Sequence, residues 1–568
     1  MAKAWGGIFG EEVEYSGKKY SRFKSDEYRS QGLRILSLFI LLIGVFGILL
    51  TRMFELTVIK GKYYSDLSIG NRVREKKIPA PRGIIYDSAG LPLVRNVPVA
   101  TGSSEITREY IYGGLLAHVL GYIGEIDENE MTAESAKLPQ SLAYFPGDNI
   151  GKTGIEQYYE SNLRGIDGKE LMEVDAKGDV VTNLGSLDPK PGNNIRLGLS
   201  ETLSKVAAES MENKAGAVVV SIPANGEIAV LYSSPSFNPN QLIQGEGVNE
   251  VLNNSEKPLF NRAISGTYPP GSTFKIVMAV AGLETGAITP DTKIEDTGVI
   301  KIGAFSFSNW YFSQYGKTEG TVNIIRALKR SNDIYFYKVG EALGIERLST
   351  WARKFGLGKE LGIDINGEAA GVIPDSEWKK NARGEKWYLG DTYHAAIGQG
   401  DILVTPLQVN SWTNVIANGG KLCKPRIAKI TNNQLPITNE NCKDLGIKKE
   451  TIDLVREGMK EACSTGGTGW PLFNFKIQNS NLKADGIDFL QTELATTSGK
   501  PMIEIPTACK TGTAEYGDPQ GKTHAWFTVF APVEQPQISV TVLVEGGGEG
   551  SNVAAPIAKK ILETWFEK

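Results

Sequence analysis

The sequence predicts a mixed α and β fold, in which one antiparallel sheet of five strands is flanked by helices. The five segments with strand character are residues 215–222, 227–232, 507–514, 525–530 and 538–544. Asn225-Gly226 separates the first two segments and strongly favours a hairpin turn. Since the other three follow only near the end of the chain, we expect a long, mostly helical insertion, about residues 234–506, between the two groups of strands.

Two helical patterns, at residues 201–213 and 553–567, flank the strands along the chain. We expect them to cover one face of the sheet, and the inserted helical subdomain to cover the other. At 568 residues the chain is too long for a single core. Residues 57–205 are rich in glycine, proline and charge, so we expect them to form an elongated module without a second compact core.

An uncharged apolar run at residues 35–51 lies between Arg34 and Arg52 and has the length of a short membrane-spanning helix. A cleaved signal peptide is the alternative. A long polar tail precedes the run, however, no small-residue cleavage site follows it, and apolar residues continue beyond it. We therefore expect a retained anchor over residues 32–56, preceded by a disordered tail over residues 1–31. No later segment is apolar enough to cross a membrane again.

Charge and composition exclude several classes of function. The net charge of −4 argues against a nucleic-acid-binding protein, which would carry a basic surface. The three histidines are scattered and the four cysteines form no CxxC pair, so we expect no metal site, and nothing in the sequence calls for a cofactor. Cys423 and Cys442 could form a disulfide if the domain is exported, although the spacing does not establish the pairing.

Three short motifs suggest catalysis: Ser272-x-x-Lys275, Ser331-Asn332-Asp333 and residues 510–513 (KTGT). Each motif is uninformative by itself. The SxxK pattern begins at four other serines, and KTG also occurs at residues 152–154. The local settings of these three motifs favour a serine acyl-transfer enzyme.

Ser272 and Lys275 stand at the start of a predicted buried helix, after the extended residues 269–271 (PPG). Residues 274–283 are apolar on nearly all sides except at Lys275. Burial and the positive end of the helix dipole both lower the pKa of a lysine there, so a neutral amine is available to activate Ser272. The alternative is a helix-capping serine beside a lysine whose ammonium reaches solvent. A base at Lys275 removes the need for a Ser-His-Asp triad.

Lys510 and the residues after it lie in a predicted strand. Gly512 weakens a strand unless something must approach its backbone closely, as a substrate lying along the strand would. Lys510, Thr511 and Thr513 would then bind a carboxylate; the alternative is an edge strand protected by its lysine. The KTG copy at residues 152–154 lies between glycines ahead of a helical pattern, and we interpret it as structural.

Together these residues resemble the penicillin-binding proteins, transpeptidases that cross-link peptidoglycan. Residues 398–408 resemble the family's GQG…TPLQ element, and residues 524–527 resemble the strand that follows KTG. Four segments resemble the non-catalytic pedestal of class B members: residues 71–74, 81–87, 118–124 and 151–168. The resemblance implies a penicillin-binding or serine β-lactamase-like fold, with a pedestal (dimerisation-like) domain over residues 57–205 and a transpeptidase domain over residues 206–568.

Asp333 departs from the family's general SxN motif and resembles the SxD form of the elongation-type subgroup, penicillin-binding protein 2. A carboxylate near Lys275 opposes a neutral base, so we expect Asp333 to have a compensating role, such as a hydrogen bond to Lys275 or to the substrate. Two further departures concern length. The stretch from Asn96 to His118 is too short for the usual head subdomain, and residues 471–506 are longer than usual and could form a lid or loop beside the site.

The resemblance implies two-step acyl transfer by a serine-type D-Ala-D-Ala transpeptidase. Ser272 would attack the penultimate D-alanine carbonyl of a stem peptide after Lys275 takes its proton, and Ser331 would relay the proton to the departing D-alanine. Backbone N–H groups of Ser272 and Thr513 would form the oxyanion hole. Three side chains would hold the terminal carboxylate: Lys510, Thr511 and Thr513. An amine of a second stem peptide would resolve the acyl-enzyme, and β-lactams would trap it.

The resemblance also implies the cellular setting. The tail would be cytoplasmic, and the chain would be a single-pass type II membrane protein with its catalytic domain outside the cytoplasm. Its partners would be peptidoglycan stem peptides, β-lactams, a SEDS-type glycan polymerase and the elongation complex. Two alternatives stay open. A D,D-carboxypeptidase or β-lactamase would pass the acyl group to water, and a degenerate β-lactam sensor or scaffold would have no turnover.

Overall fold

The computed structural model describes residues 25–99, 106–135, 143–175, 177–429, 441–478 and 502–567. The chain divides into two units. The first comprises Met1–Ile78 and Gly168–Asp188, and the second comprises Pro79–Asp167 and Pro189–Lys568. All the candidate catalytic residues therefore belong to the second unit.

The first unit contains the apolar helix Ser25–Phe54, the helix Gly61–Arg72 and a small antiparallel sheet. The strands of this sheet are Val73–Ile78, Gly168–Val174 and Val180–Leu187. Within the described part of the chain, one stretch, Gly32–Ile59, is long and apolar enough to cross a membrane, and it fits the predicted single-pass anchor. The helix begins at Ser25, so residues 25–31 of the predicted disordered tail are helical; residues 1–24 lie outside the described part.

The second unit is built on the predicted antiparallel sheet of five strands. Its strands are β1 Gly216–Ile222, β2 Glu227–Ser234, β3 Ala508–Glu515, β4 Thr523–Ala531 and β5 Ile538–Val544. They lie in the order β2-β1-β5-β4-β3, and each neighbouring pair is antiparallel. The predicted fold class is confirmed, and β3, which carries the KTGT motif, lies at one end of the sheet.

Helices cover both faces of this sheet. The helices of the second unit include α1 Glu201–Ser210, α2 Lys275–Glu284, α3 Trp310–Tyr315, α4 Ile324–Lys329, α5 Asp333–Leu343, α6 Ile345–Lys354, α7 Ser376–Arg383, α8 Leu389–Ala396, α9 Pro406–Ala417, α10 Lys449–Ala462 and α11 Ala554–Phe566. The terminal helices α1 and α11 pack on one face through apolar side chains. The other face meets α9, which is buried along its whole length. Both predicted coverings are confirmed.

A layer of buried hydrogen bonds joins α9 to the sheet. Asn414 Nδ2 donates to Ser221 Oγ at 2.8 Å, and the hydroxyls of Thr413 and Thr528 lie 2.8 Å apart. Polar groups are costly in a core unless they are paired, so this layer favours one position of α9 over neighbouring ones. No local sequence pattern predicts this layer, because its members come from separate elements.

Besides a small cluster of Ile126, Tyr144 and Ile150, residues from the segments 85–163 and 195–199 of the second unit share a core with the sheet. Their strands form a second sheet with one strand from the insertion, in the order Ala428–Lys429, Ile195–Leu197, Ile85–Tyr86, Pro92–Pro98 and Ile106–Tyr110. Leu93, Val94 and Ile155 pack in one cluster with Val219 and Leu231 of the central sheet. The domain boundary near residue 205 stays a prediction.

Two segments of unusual length are only partly described. Residues 100–105, in the stretch that is too short for a head subdomain, lie outside the described part of the chain. The same holds for residues 479–501 of the predicted lid or loop. The ends of that segment pair as the antiparallel strands Lys476–Gln478 and Met502–Glu504.

Two disulfides cross-link the second unit, Cys423–Cys442 and Cys463–Cys509. The first is the pair that the sequence left open. The second joins the end of α10 to β3 beside Lys510, and the sequence analysis did not propose it, because 46 residues separate its two cysteines.

A buried ion network accounts for two of the pedestal-like segments, residues 81–87 and 151–168. The fully buried Glu156 accepts from Arg82 Nε at 2.6 Å and from Arg108 Nε at 2.8 Å. Burial raises the pKa of Glu156, but the two guanidinium groups outweigh it, so the pKa lies below its usual value. Arg82 also pairs with Glu160 at 2.5 Å.

We expect Glu156→Gln to lower the free energy of unfolding by about 3 kcal/mol, because two buried guanidinium groups lose their shared charge partner. Glu109 supplies a matched control, since its ion pair with Arg95 on the neighbouring strand is exposed. Glu109→Gln should cost less than about 1 kcal/mol. Denaturant unfolding of the full chain measures both variants, and equal losses would contradict the account.

Candidate active site

Ser272 lies in a tight turn of 3-10 helix, Gly271–Phe274, which leads directly into α2. The turn thus precedes the predicted buried helix, and Lys275 is the first residue of α2. Gly271 has a φ of +53°, and a Cβ there would lie 2.7 Å from the Thr513 carbonyl oxygen, so only glycine lets the turn approach β3 this closely. The Gly271 N–H donates to the Gly398 carbonyl at 2.9 Å.

The GQG…TPLQ-like element therefore supports the turn that carries Ser272. At its end Thr405 caps α9 by accepting from the Gln408 N–H at 3.1 Å, and Pro406 occupies the first helical turn, as predicted. Gln408 Oε1 accepts in return from the Thr405 N–H at 3.0 Å. This reciprocal pair fixes the start of α9.

Lys275 is completely buried and points to the second motif. Its Nζ donates to Asp333 Oδ1 at 2.6 Å, to the Ser331 carbonyl at 2.8 Å and to Ser331 Oγ at 3.3 Å. Burial lowers the pKa of Lys275, and Asp333 opposes this without cancelling it. The amine is therefore easier to deprotonate than an ordinary lysine, as the sequence predicted.

Ser331 connects the end of α4 to the start of α5 in a strained conformation. Its φ of +53° lies in the left-handed region, which glycine usually occupies at a helix end. The Asn332 N–H donates to the Ala327 carbonyl at 2.9 Å, and the Asn332 side chain then caps α5 by accepting from the Tyr335 N–H at 2.8 Å. Strain of about 1 kcal/mol at a non-glycine residue is typical of functional sites.

Asp333 divides its carboxylate between two partners. Oδ1 accepts from Lys275, and Oδ2 accepts from the Trp310 N–H at 2.9 Å, at the start of α3. The predicted hydrogen bond between Asp333 and Lys275 is present. Its second partner was not predicted.

Lys510 is also completely buried, and its Nζ donates to Ser331 Oγ at 2.8 Å and to the Thr511 carbonyl at 2.9 Å. Burial lowers the pKa of Lys510 well below its usual value, the nearby Lys275 lowers it further, and Asp333 opposes both. The Ser331 hydroxyl oxygen thus accepts from two lysines that come from different elements.

All three motifs meet at one cleft of 640 Å³. Its walls include Ser272, Ser331, Asp333 and residues 511–513. Thr513 is exposed and lines the cleft. A Cβ on Gly512 would lie 3.0 Å from the Thr273 side chain. The structure therefore adds a reason for Gly512 that the sequence analysis missed: β3 packs tightly against the turn that carries Ser272.

Thr468 is a cleft residue that the sequence analysis did not identify. Its hydroxyl accepts from the Thr511 hydroxyl at 2.9 Å, and it lies in a glycine-rich loop that follows Cys463. The Cys463–Cys509 disulfide ties this loop to β3. The glycine-rich composition around Thr468 was the only signal in the sequence, and it does not specify a partner.

The other sequence candidates lie elsewhere. Lys152 pairs with Glu130 and does not line the cleft, in agreement with its structural interpretation. No histidine lines the cleft either, and burial lowers the pKa of both His118 and His524 to about 4. Among the described residues, no group of three or more histidine, cysteine, aspartate or glutamate side chains could hold a metal ion.

Two family models match the chain. The Penicillin binding protein transpeptidase domain matches residues 216–563, and the Penicillin-binding Protein dimerisation domain matches residues 100–197. The chain belongs to the penicillin-binding protein family. The predicted family and enzyme class, a penicillin-binding transpeptidase, are confirmed.

Two curated relatives carry the name Peptidoglycan D,D-transpeptidase MrdA. The protein from Haemophilus influenzae is 30% identical over 96% of this chain and 93% of its own length. The protein from Acinetobacter baumannii is 34% identical over 82% of this chain, which spans 66% of that relative.

Two structures of PBP2 are among the similar solved structures. PBP2 of Pseudomonas aeruginosa, in complex with WCK 5153, has a TM-score of 0.72 and is 32% identical, over 87% of this chain and 97% of that one. PBP2 of Helicobacter pylori, in complex with MreC, has a TM-score of 0.71 and is 28% identical, over 87% of this chain and 99% of that one. The predicted elongation-type, class B subgroup is therefore confirmed.

Proposed function

We propose that this chain cross-links peptidoglycan stem peptides, with Ser272 as nucleophile, Lys275 as general base and Ser331 as proton relay. One observation carries the assignment. The Ser331 hydroxyl accepts from Lys275 Nζ at 3.3 Å and from Lys510 Nζ at 2.8 Å, beside the cleft that Ser272 lines. This arrangement links the base, the relay and the carboxylate-binding lysine through one oxygen atom.

In the first step Lys275, as the neutral amine, takes the hydroxyl proton of Ser272 while Oγ attacks the penultimate D-alanine carbonyl. The developing oxyanion accepts from the backbone N–H groups of Ser272 and Thr513. The close packing of the Gly271 turn on the Thr513 carbonyl supports this pairing, because it holds the two segments together.

In the second step the bond between the carbonyl carbon and the D-alanine nitrogen breaks. The leaving nitrogen needs a proton, and Lys275 returns it through Ser331. Both lysines donate to lone pairs of Ser331 Oγ, so the hydroxyl hydrogen is free to point at the leaving nitrogen. An amine of a second stem peptide then attacks the ester carbonyl and gives a proton to Lys275. The bond between the carbonyl carbon and Ser272 Oγ breaks, and Lys275 passes the proton to Oγ, which regenerates the hydroxyl and the neutral amine.

The terminal carboxylate of the donor peptide would lie against Lys510, Thr511 and Thr513, along the Gly512 strand. Burial disfavours the ammonium form of Lys510 in the free site, and a bound carboxylate supplies the missing opposite charge. Because Asp333 only partly offsets the cost of burying this charge, the contact favours ligands with an anionic end. β-Lactams carry such a group next to their reactive carbonyl.

The membrane topology, the domain boundaries and the partners are also part of the proposal. The apolar N-terminal helix would anchor the chain as a single-pass type II protein, with a cytoplasmic tail and with its catalytic domain outside the cytoplasm. The pedestal over residues 57–205 and the transpeptidase domain over residues 206–568 follow the two family matches approximately. The MreC complex of the Helicobacter pylori relative supports an elongation complex as the partner. A SEDS-type glycan polymerase within that complex is part of the proposal.

Mapping of the penicillin adduct tests the nucleophile. Mass spectrometry of the penicillin-treated full chain should place the adduct on Ser272, and Ser272→Ala should abolish labelling. Ser376 begins another SxxK pattern, at the start of α7, so Ser376→Ala is the matched control and should label normally. Labelling that survives in Ser272→Ala would overturn the assignment. Rapid release of the adduct to water would favour a carboxypeptidase or β-lactamase.

The two KTG copies give a second comparison. Lys510→Ala should reduce the acylation rate by at least about a hundredfold, because a buried charge contact to the substrate is lost. Lys152→Ala, which breaks only the pair with Glu130, should acylate within about threefold of the wild type. Stopped-flow acylation measures both rates. Similar losses in the two variants would show that β3 is not the carboxylate-binding strand.

Asp333→Asn should keep acylation within about tenfold, a barrier change of up to about 1.4 kcal/mol. The new carbonyl oxygen can still accept from Trp310, and the new amide N–H faces Lys275 and favours its neutral form. Since the carboxylate that raises the pKa of Lys275 is gone, the base deprotonates at lower pH. The rise of acylation with pH should therefore move to lower pH. An unchanged pH–rate profile would show that Asp333 is not coupled to the base.

A further inference from the structure

A second buried aspartate lies behind the Ser331-Asn332-Asp333 turn. Asp296, which is 2% exposed, ends the strand Ile294–Asp296 and does not line the cleft. Four N–H donors surround its carboxylate. Oδ1 accepts from the Gly298 N–H at 2.9 Å. Oδ2 accepts from Asn309 Nδ2 at 2.8 Å, from the Glu319 N–H at 2.9 Å and from Asn332 Nδ2 at 2.9 Å.

The two asparagines that donate to Asp296 use their other ends on the catalytic turn. Asn332 Oδ1 accepts from the Tyr335 N–H at 2.8 Å, and Asn309 Oδ1 accepts from the Asp333 N–H at 3.1 Å. Both asparagines are completely buried. An asparagine amide has one donating and one accepting end. Because the Nδ2 groups of both asparagines donate to Asp296, their Oδ1 atoms face the start of α5.

The same contacts reach Asp333 by a second route. Asn309 directly precedes Trp310, whose N–H donates to Asp333 Oδ2 at 2.9 Å. Asp296 therefore holds Asn332, which caps α5, and Asn309, which directly precedes Trp310. The buried hydrogen bonds leave the strained Ser331 little freedom to relax.

We propose that Asp296 is a positioning residue of this active site: through Asn309 and Asn332 it holds Ser331 and Asp333 in register with Lys275. The inference rests on the proposed roles of these residues, and it adds a requirement that lies outside the three motifs. Asp296 touches neither the cleft nor the carboxylate-binding strand. Its loss should therefore slow the acylation step without weakening the initial binding of a β-lactam.

The test is acylation of the full chain by benzylpenicillin over a range of concentrations, which separates the saturating rate constant from the dissociation constant. Asp296→Ala removes every acceptor and should lower the saturating rate constant at least about tenfold, with the dissociation constant within about threefold of the wild type. In Asp296→Asn the remaining side-chain oxygen can take the place of Oδ2, which accepts from three of the four donors. It should restore the rate constant to within about threefold of the wild type.

Asp364 is the matched control, because it is also buried, at 6% exposure, but belongs to another network. It accepts from the Ile427 N–H at 2.6 Å, from the Ala428 N–H at 2.8 Å and from the Tyr159 hydroxyl at 2.8 Å. Asp364→Ala should lose stability and keep its saturating rate constant. If Asp364→Ala loses the same factor as Asp296→Ala, the loss reflects general destabilisation and the proposal is wrong.

Asn309→Ala keeps the proposal testable if Asp296→Ala does not fold. It leaves the Asp333 N–H without its acceptor and should lower the saturating rate constant by about tenfold. A folded Asp296→Ala or Asn309→Ala that acylates at the wild-type rate would overturn the proposal. Adduct mapping in the wild type separates this result from a failure of the proposed function, because an adduct on Ser272 supports that function whatever the variants do.

Discussion

The contact between Lys275 and Asp333 is the interaction on which the rest of the site depends. Two lysines are completely buried within hydrogen-bonding distance of one hydroxyl, and Asp333 is the carboxylate that opposes their charge. Burial of an ammonium group is costly without such a partner. Asp333 makes the pair tolerable, while burial keeps the pKa of Lys275 below its usual value. The pKa of Lys275, the proposed base, thus reflects two opposing effects, burial and the charge of Asp333.

This constraint explains features that otherwise look unrelated. Ser331 must adopt left-handed backbone geometry to place its oxygen between Lys275 and Lys510, and helices on either side of it hold that geometry. Glycines at 271 and 512 let the nucleophile turn and β3 approach each other. The Cys463–Cys509 disulfide fixes β3 next to Lys510. Each of these features positions residues that meet at the cleft.

Much of this architecture follows from local patterns. The five strands, the buried helix after Ser272 and the cap at Thr405 each depend on residues close together in the chain, so the sequence predicts them. The Trp310 contact to Asp333, the Asp296 network and Thr468 do not have such a pattern. The contacts of Trp310 with Asp333, of Asn332 with Asp296 and of Thr511 with Thr468 join residues that are 23, 36 and 43 positions apart and meet only after folding. For the same reason no local pattern predicts the second disulfide. The contact between Asp333 and Lys275 was predicted only through the family resemblance.

A double-mutant cycle on Lys275 and Asp333 tests the central claim most directly. The free energy of unfolding is measured for Lys275→Met, for Asp333→Asn and for the double variant, all as full chains. If the two side chains stabilise each other in the buried site, the double variant should lose at least about 2 kcal/mol less than the sum of the single losses. Losses that add to within about 0.5 kcal/mol would contradict the claim that this pair organises the active site.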